Sequence, residues 1–223
     1  MEYTRFLNTL KKSDVILSVK TMNKEIFTIG YSSFSLEVFI STLKQYKIEA
    51  VADVRSQPYS QFKPEFNREV LKEVLSKNKI AYVFLGEECG ARLDDPKCYI
   101  NGKVNYDLVA QNQIFQNGLE RIKKGMEKFQ IVLMCAEKDP ITCHRAILVS
   151  RNLQAEGVKI KHILSNGKIE NHEDSEKRLL MLFKFNHPDM FRSDKQRLAD
   201  AYTQQGEKIA YEVTEPSDEN GRQ

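Results

Sequence analysis

Between residues 135 and 145 the chain gathers two cysteines, a glutamate, a histidine and an arginine: Cys135, Glu137, Cys143, His144 and Arg145. A thiol becomes a nucleophile or a metal ligand once it loses its proton, and a neighbouring imidazole can take that proton or stabilise the thiolate left behind. A guanidinium offers a planar fork to phosphate or carboxylate. Each type also has a structural use. A cysteine at a strand end can be a small buried apolar residue, His144 can tie loops together, and Arg145 can hold Asp53 or Glu137 in a buried ion pair. Cys135, Cys143 and His144 match no common zinc spacing, so the sequence assigns no metal, and it identifies no cofactor. The nine residues between Cys135 and Arg145 also make a longer loop than the Cys-x5-Arg loop of cysteine phosphatases.

These residues are positioned by alternating apolar and amphipathic segments. Ile26–Gly30, Ile48–Arg55, Ile80–Leu85, Ile131–Cys135 and Val158–Leu164 read as strands, with helical patterns between them. Ser35 is an N-cap for the helix that follows the first strand, a second helix runs from about Asn67 to Asn78, and a third ends near Glu127. Asp139 followed by Pro140 predicts the start of a helix through Ile141 to Glu156, stopped by Gly157. A last core helix spans about Glu173 to Phe185. Strands alternating with helices predict a doubly wound, mostly parallel sheet of about five strands in a three-layer α/β/α fold. The pattern divides the chain into an N-terminal extension over residues 1–24, one α/β domain over 25–185, and an extension over 186–223 with a disordered end.

In such sheets ligands bind outside the carboxyl ends of the strands. The residues leaving the strands are Tyr31 and Ser32, Asp53, Arg55 and Ser56, the glycine-bearing loop that ends at Arg92, and Cys135 with Glu137. Asp53, Cys135, Glu137, Cys143 and His144 are therefore the catalytic candidates, and Tyr31, Ser32, Arg55, Ser56, Arg92 and Arg145 the anion-binding ones. If Cys143, His144 and Arg145 occupy successive positions of one helix, they diverge by about 100° each and cannot all face one ligand. The aromatic and proline-rich stretch 57–66 is a candidate lid or stacking platform, or a loop packing its own aromatics. No Walker A loop is present, and no Gly-x-Gly-x-x-Gly follows the first strand.

The 34 basic and 31 acidic residues leave a net charge of +3, which neither demands nor excludes a nucleic-acid partner. No apolar run is long enough to span a bilayer, and residues 1–15 lack the features of a secretory signal. The expectation is a cytoplasmic chain with no membrane partner, whose Cys89, Cys98, Cys135 and Cys143 are thiols. Composition leaves the oligomeric state undecided.

Taken together, residues 28–32, 53–56, Leu85 and Gly86 with Gly90 to Arg92, 134–145, and His162 with Ile163 resemble the bacterial and archaeal family known as domain of unknown function 488. The resemblance covers about residues 25–180. One departure stands at Cys89-Gly90-Ala91-Arg92, where the family has Leu-Gly-Gly-Arg. The resemblance implies an α/β fold, favours the strand-end residues as the site, and carries an associative link to nucleotides or DNA repair. It supplies no reaction. Two expectations follow: an enzyme acting on a phosphate-bearing substrate, nucleotide or nucleic-acid related, or a non-catalytic module that binds such a ligand.

Overall fold

A computed structural model describes residues 25–188 and 190–213. The expected N-terminal extension and the expected disorder at the chain end fall outside those residues. Six strands form one sheet: β1 (Glu25–Gly30), β2 (Ala50–Asp53), β3 (Ala81–Phe84), and, after a two-stranded hairpin of β4 (Tyr99–Ile100) and β5 (Lys103–Val104), β6 (Ile131–Cys135), β7 (Lys159–Ile163) and β8 (Ile169–Asn171). Their order is β3-β2-β6-β1-β7-β8. The first five strands in that order run parallel, and β8 pairs antiparallel with β7. This is the mostly parallel α/β/α fold that the sequence predicts, with one edge strand more.

Strands covered on both faces are apolar at nearly every position, and the two faces divide the core. Phe27, Ile29, Val51, Val132 and Met134 turn to one side, under α1 (Leu36–Gln45) and α2 (Arg68–Lys77). Ile26, Ala50, Ala52, Leu133 and Cys135 turn to the other, under α5 (Gln113–Met126) and the chain that follows β6. Ser35 caps α1 as expected, its Oγ accepting from Val38 N. The predicted helix ending near Glu127 is two: α4 (Tyr106–Gln111) breaks at Asn112, whose side chain caps α5. The predicted polar loop 86–106 contains a short helix, α3 (Gly86–Cys89), and the β4–β5 hairpin.

The segment after β6 departs most from expectation. Asp139 and Pro140 do start a helical turn, with Asp139 Oδ1 accepting from Ile141 N, but it is a single 3-10 turn, Pro140–Thr142. Two β-branched residues, Ile141 and Thr142, disfavour an α-helix there, and Thr142 Oγ1 donates to Asp139 O. Cys143 is then extended (φ −136°, ψ 139°). The helix resumes at His144, runs as a π-helix over Arg145–Ser150 with Ser150 Oγ donating to Arg145 O, and continues as α6 (Arg151–Ala155). Gly157 ends it with φ +86°, as its left-handed stop requires.

After β8 come α7 (His172–Leu182) and α8 (Asp194–Ile209). Ala201 and Tyr202 of α8 are buried in the same core as β6, and Gln205 Nε2 donates to Ile141 O. Residues beyond 185 thus add a helix that braces the turn after β6. No helix among the described residues is long and apolar enough to cross a membrane.

Candidate functional site

The extended backbone at Cys143 removes the divergence that a continuous helix would impose. Cys143 Sγ turns back under the end of β6, where Cys135 sits at the strand tip. Glu137 Oε2 lies 3.0 Å from Cys135 Sγ and 2.9 Å from Cys143 Sγ. His144 Nδ1 lies 3.7 Å and 3.9 Å from the same two sulfurs. The cysteines and His144 are buried, whereas Glu137 is an exposed residue whose carboxylate turns inward. His144 Nε2 is 2.9 Å from Val54 O, an oxygen that only accepts, so the proton is on Nε2 and the Nδ1 lone pair faces the sulfurs.

Burial alone drives a thiol upward, as at Cys89, pushed up to about 12. At Cys143 burial acts in the same sense, but Cys135, the Arg145 guanidinium and His144 outweigh it and hold the thiol well below its ordinary value. Cys135 moves the opposite way, held protonated by its hydrogen bond to Cys143 and by burial. His144 is lowered by burial and raised further by Cys143 and Glu137, ending above the usual histidine value. Burial, then Cys143, raises Glu137. The group therefore sets a thiol biased towards its thiolate form against an imidazole, with a second thiol and a carboxyl group able to exchange protons beside them.

Arg145, fully buried, spends its donors on the main chain. Nη1 donates to Glu137 O at 2.5 Å and Nη2 to Lys138 O, while Nε reaches Thr28 Oγ1 at 3.4 Å. It clamps the loop that carries Glu137. Opposite it, Gly30 leaves no room for a side chain, because a Cβ there would stand 1.7 Å from Glu137 O. Ser32 N donates to Ala136 O at 3.0 Å, tying the exit of β1 to that of β6, and the Ser32 side chain is exposed.

Asp53 and Arg55 do not join the sulfur cluster. Asp53 pairs in register with Met134, so both point to the α1–α2 face, away from Cys135. Arg55 binds the Asp53 carboxylate with Nε and Nη2, at 2.9 and 2.6 Å, and Tyr82 Oη donates to it at 2.6 Å. The Asp53 carboxylate is fully buried and fully paired, which is the arrangement of a counter-ion. Arg55 also donates to Phe66 O and stacks on Tyr31. Phe66 itself packs on Tyr31, so the loop over residues 57–66 buries one aromatic and leaves Tyr59 and Phe62 exposed. Ser56 Oγ accepts from Arg92 N, and the exposed Arg92 guanidinium lies over the Tyr211 ring.

A second polar cluster was not read from the sequence as a unit. Thr28 Oγ1 is 2.7 Å from His162 Nδ1, His162 Nε2 is 2.8 Å from His172 Nδ1, and His172 Nε2 is 2.9 Å from Tyr202 Oη, which donates to Glu176. Arg145 Nε can only donate, so Thr28 accepts from it and donates to His162. The same logic carries one donor direction through His162, His172 and Tyr202 to Glu176, with both imidazoles neutral. Thr28 and His162 are register partners on adjacent strands. That signal becomes visible only once the strand order is known.

A groove of about 300 Å³ opens beside the Glu137 loop, at the carboxyl ends of β6 and β7, lined by Lys138, Leu164, Ser165, Asn166 and Arg178 among others. No curated protein and no solved structure matches the chain. The family model described as domain of unknown function DUF488 matches residues 35–152, a stretch that holds the sulfur cluster and the Asp53–Arg55 pair. That match takes in more than half of the 223 residues, and the chain belongs to the DUF488 family.

Proposed function

We propose that the protein is an enzyme whose reaction centre is the cluster of Cys135, Glu137, Cys143 and His144, acting on a phosphate-bearing substrate related to nucleotides or nucleic acid. The observation that carries this reading is the convergence of two sulfurs, an imidazole lone pair and a carboxylate at the carboxyl end of β6. Four reactive groups that share their protons are costly to bury for stability alone. Glu137 is the member that reaches solvent, and with its carboxyl raised above the ordinary value it serves as the acid/base. Cys143 works in its thiolate form, the state that both attacks an electrophile and binds a cation.

Cationic donors at the same edge of the sheet support the phosphate part of the reading. Exposed Lys138 and half-buried Arg178 line the groove beside Glu137. Arg178 is held there by Asp139 and Glu170, which leaves Lys138 as the freer charge. The test is turnover across a panel of nucleoside mono-, di- and triphosphates and 5′-phosphorylated oligonucleotides. Wild-type protein is expected to convert at least one class, and Glu137→Gln and Cys143→Ala to lose at least about 100-fold in rate. No conversion of any panel member, or rates unchanged in both variants, contradicts the proposal. Binding without conversion would favour the non-catalytic module.

A further inference from the structure

The geometry points to a site for one thiophilic divalent cation of the zinc class, ligated by Cys135 Sγ, Cys143 Sγ and His144 Nδ1, with a fourth position open towards Glu137. The three ligand atoms lie within 4.8 Å of one another, and all three residues are buried. Zinc bonds of about 2.3 Å to sulfur and 2.0–2.1 Å to nitrogen, at tetrahedral angles, separate ligand atoms by roughly 3.5–3.8 Å. The sulfur-to-Nδ1 distances of 3.7 and 3.9 Å already stand close to that spacing.

The surroundings fit as well. A metal-bound imidazole characteristically donates its other N–H to a carbonyl or carboxylate, which fixes the tautomer and the ring plane. His144 does this through Nε2 to Val54 O at 2.9 Å. Charge stays balanced, because two thiolates offset a divalent cation and leave Arg145 and Glu137 to offset each other. The Tyr106 hydroxyl is buried without a partner among the described residues and lies within electrostatic reach of both cysteines and Glu137. An orphaned buried hydroxyl is rare and calls for an acceptor or donor of its own. A water or substrate atom in the fourth position would supply one.

Linear spacing conceals this set. Cys143 and His144 are adjacent in sequence, and both reach one point only because the chain is extended at Cys143 before the helix resumes. Glu137 Oε2, at 2.9–3.0 Å from the sulfurs, is too close to be a fourth ligand without moving. It is placed instead to exchange a proton with whatever fills the open position. The inference goes beyond the enzymatic reading, since an ion can bind here whether or not turnover occurs.

The test loads chelator-washed, reduced full-length protein with Co²⁺ under anaerobic conditions. The expected result is one ion per chain, with thiolate-to-cobalt charge-transfer absorption and the intense visible bands of a tetrahedral site, both displaced by Zn²⁺. Cys135→Ser and His144→Ala should weaken binding by more than the roughly 10–100-fold that loss of an outer-sphere partner costs, whereas Glu137→Gln should keep the ion. If a ligand variant fails to fold, the wild-type spectrum decides. Absence of charge-transfer absorption in the folded wild-type chain, or full-strength binding in folded Cys135→Ser, overturns the site. Failure of the enzymatic reading is distinct: the ion would bind with these spectra while the phosphate panel went unconverted.

Discussion

His144 and His162 are both buried, one in the sulfur cluster and the other in the hydrogen-bond chain that ends beneath Arg145, yet their imidazoles are driven in opposite directions. His144 rises above the usual value because Cys143 and Glu137 surround it with negative charge, against the lowering effect of burial. His162 falls well below it, through burial first and then through His172, Arg145 and Arg178. His172, in the same chain, falls to about 4, again by burial. Burial disfavours the charged imidazole in all three cases; at His144 the negative neighbours outweigh it, whereas at His172 the opposing charge of Glu173 does not. One region favours charge. The other is a neutral, one-directional chain of hydrogen bonds that orders Thr28 beneath Arg145.

Arg145 links the two regions, so its removal should have the largest effect. Arg145→Met would leave the Glu137 and Lys138 carbonyls without their donor and take the cation away from Cys143. A loss of about 3 kcal/mol or more is expected in urea unfolding, together with a rise of the Cys143 pKa read by the pH dependence of alkylation. A cost below about 1 kcal/mol would show that Arg145 does not clamp the loop.

Acid should separate the regions next. A histidine whose pKa falls on folding contributes stability that is complete above the unfolded value, near 6.5, and is lost as pH drops towards the folded value. For His172, with a folded value of about 4, the loss is on the order of 3 kcal/mol across that window. His144 runs against this slope, because its raised value favours the folded state below about 6.5 and loses that contribution as pH climbs through it. Urea midpoints measured from pH 7 down to pH 4 should therefore fall steeply in wild-type protein and less steeply in His172→Gln. Equal slopes would remove the neutral-chain account.

The smallest effect is expected at the far end of the chain. Tyr202→Phe deletes the hydroxyl that accepts from His172 and donates to Glu176, at about 1–2 kcal/mol. The pH dependence of Cys143 alkylation should not move. A shift there would mean that the two regions are coupled more tightly than through Arg145 alone.

The contrast between these regions was only half legible in the sequence. Apolar runs and capped amphipathic segments marked five strands and most helices, and the strand-end rule drew attention to Cys135, Glu137 and Asp53. Which face each residue takes depends on register. Asp53 shares a face with Met134 and so stands across the sheet from Cys135, a relation between strands about 80 residues apart. The 3-10 turn and the extended Cys143 were hidden because Asp139 and Pro140 signal a helix start without setting its length, and contacts from α8 such as Gln205 to Ile141 O help fix it. Thr28 and His162 lie 134 residues apart. They meet only because β7 pairs with β1, and no local pattern reports that pairing.

The central claim is that Cys135, Glu137, Cys143 and His144 form one electrostatic unit that the His162–His172 pair does not share. Site-resolved NMR titration of the imidazoles in chelator-washed protein tests it most directly. His144 is expected to titrate above about 6.5 and to fall when Cys143 is replaced by alanine, while His172 titrates near 4 and is unmoved by that substitution. A His144 that titrates low alongside His162 and His172, or that ignores the loss of Cys143, would contradict it.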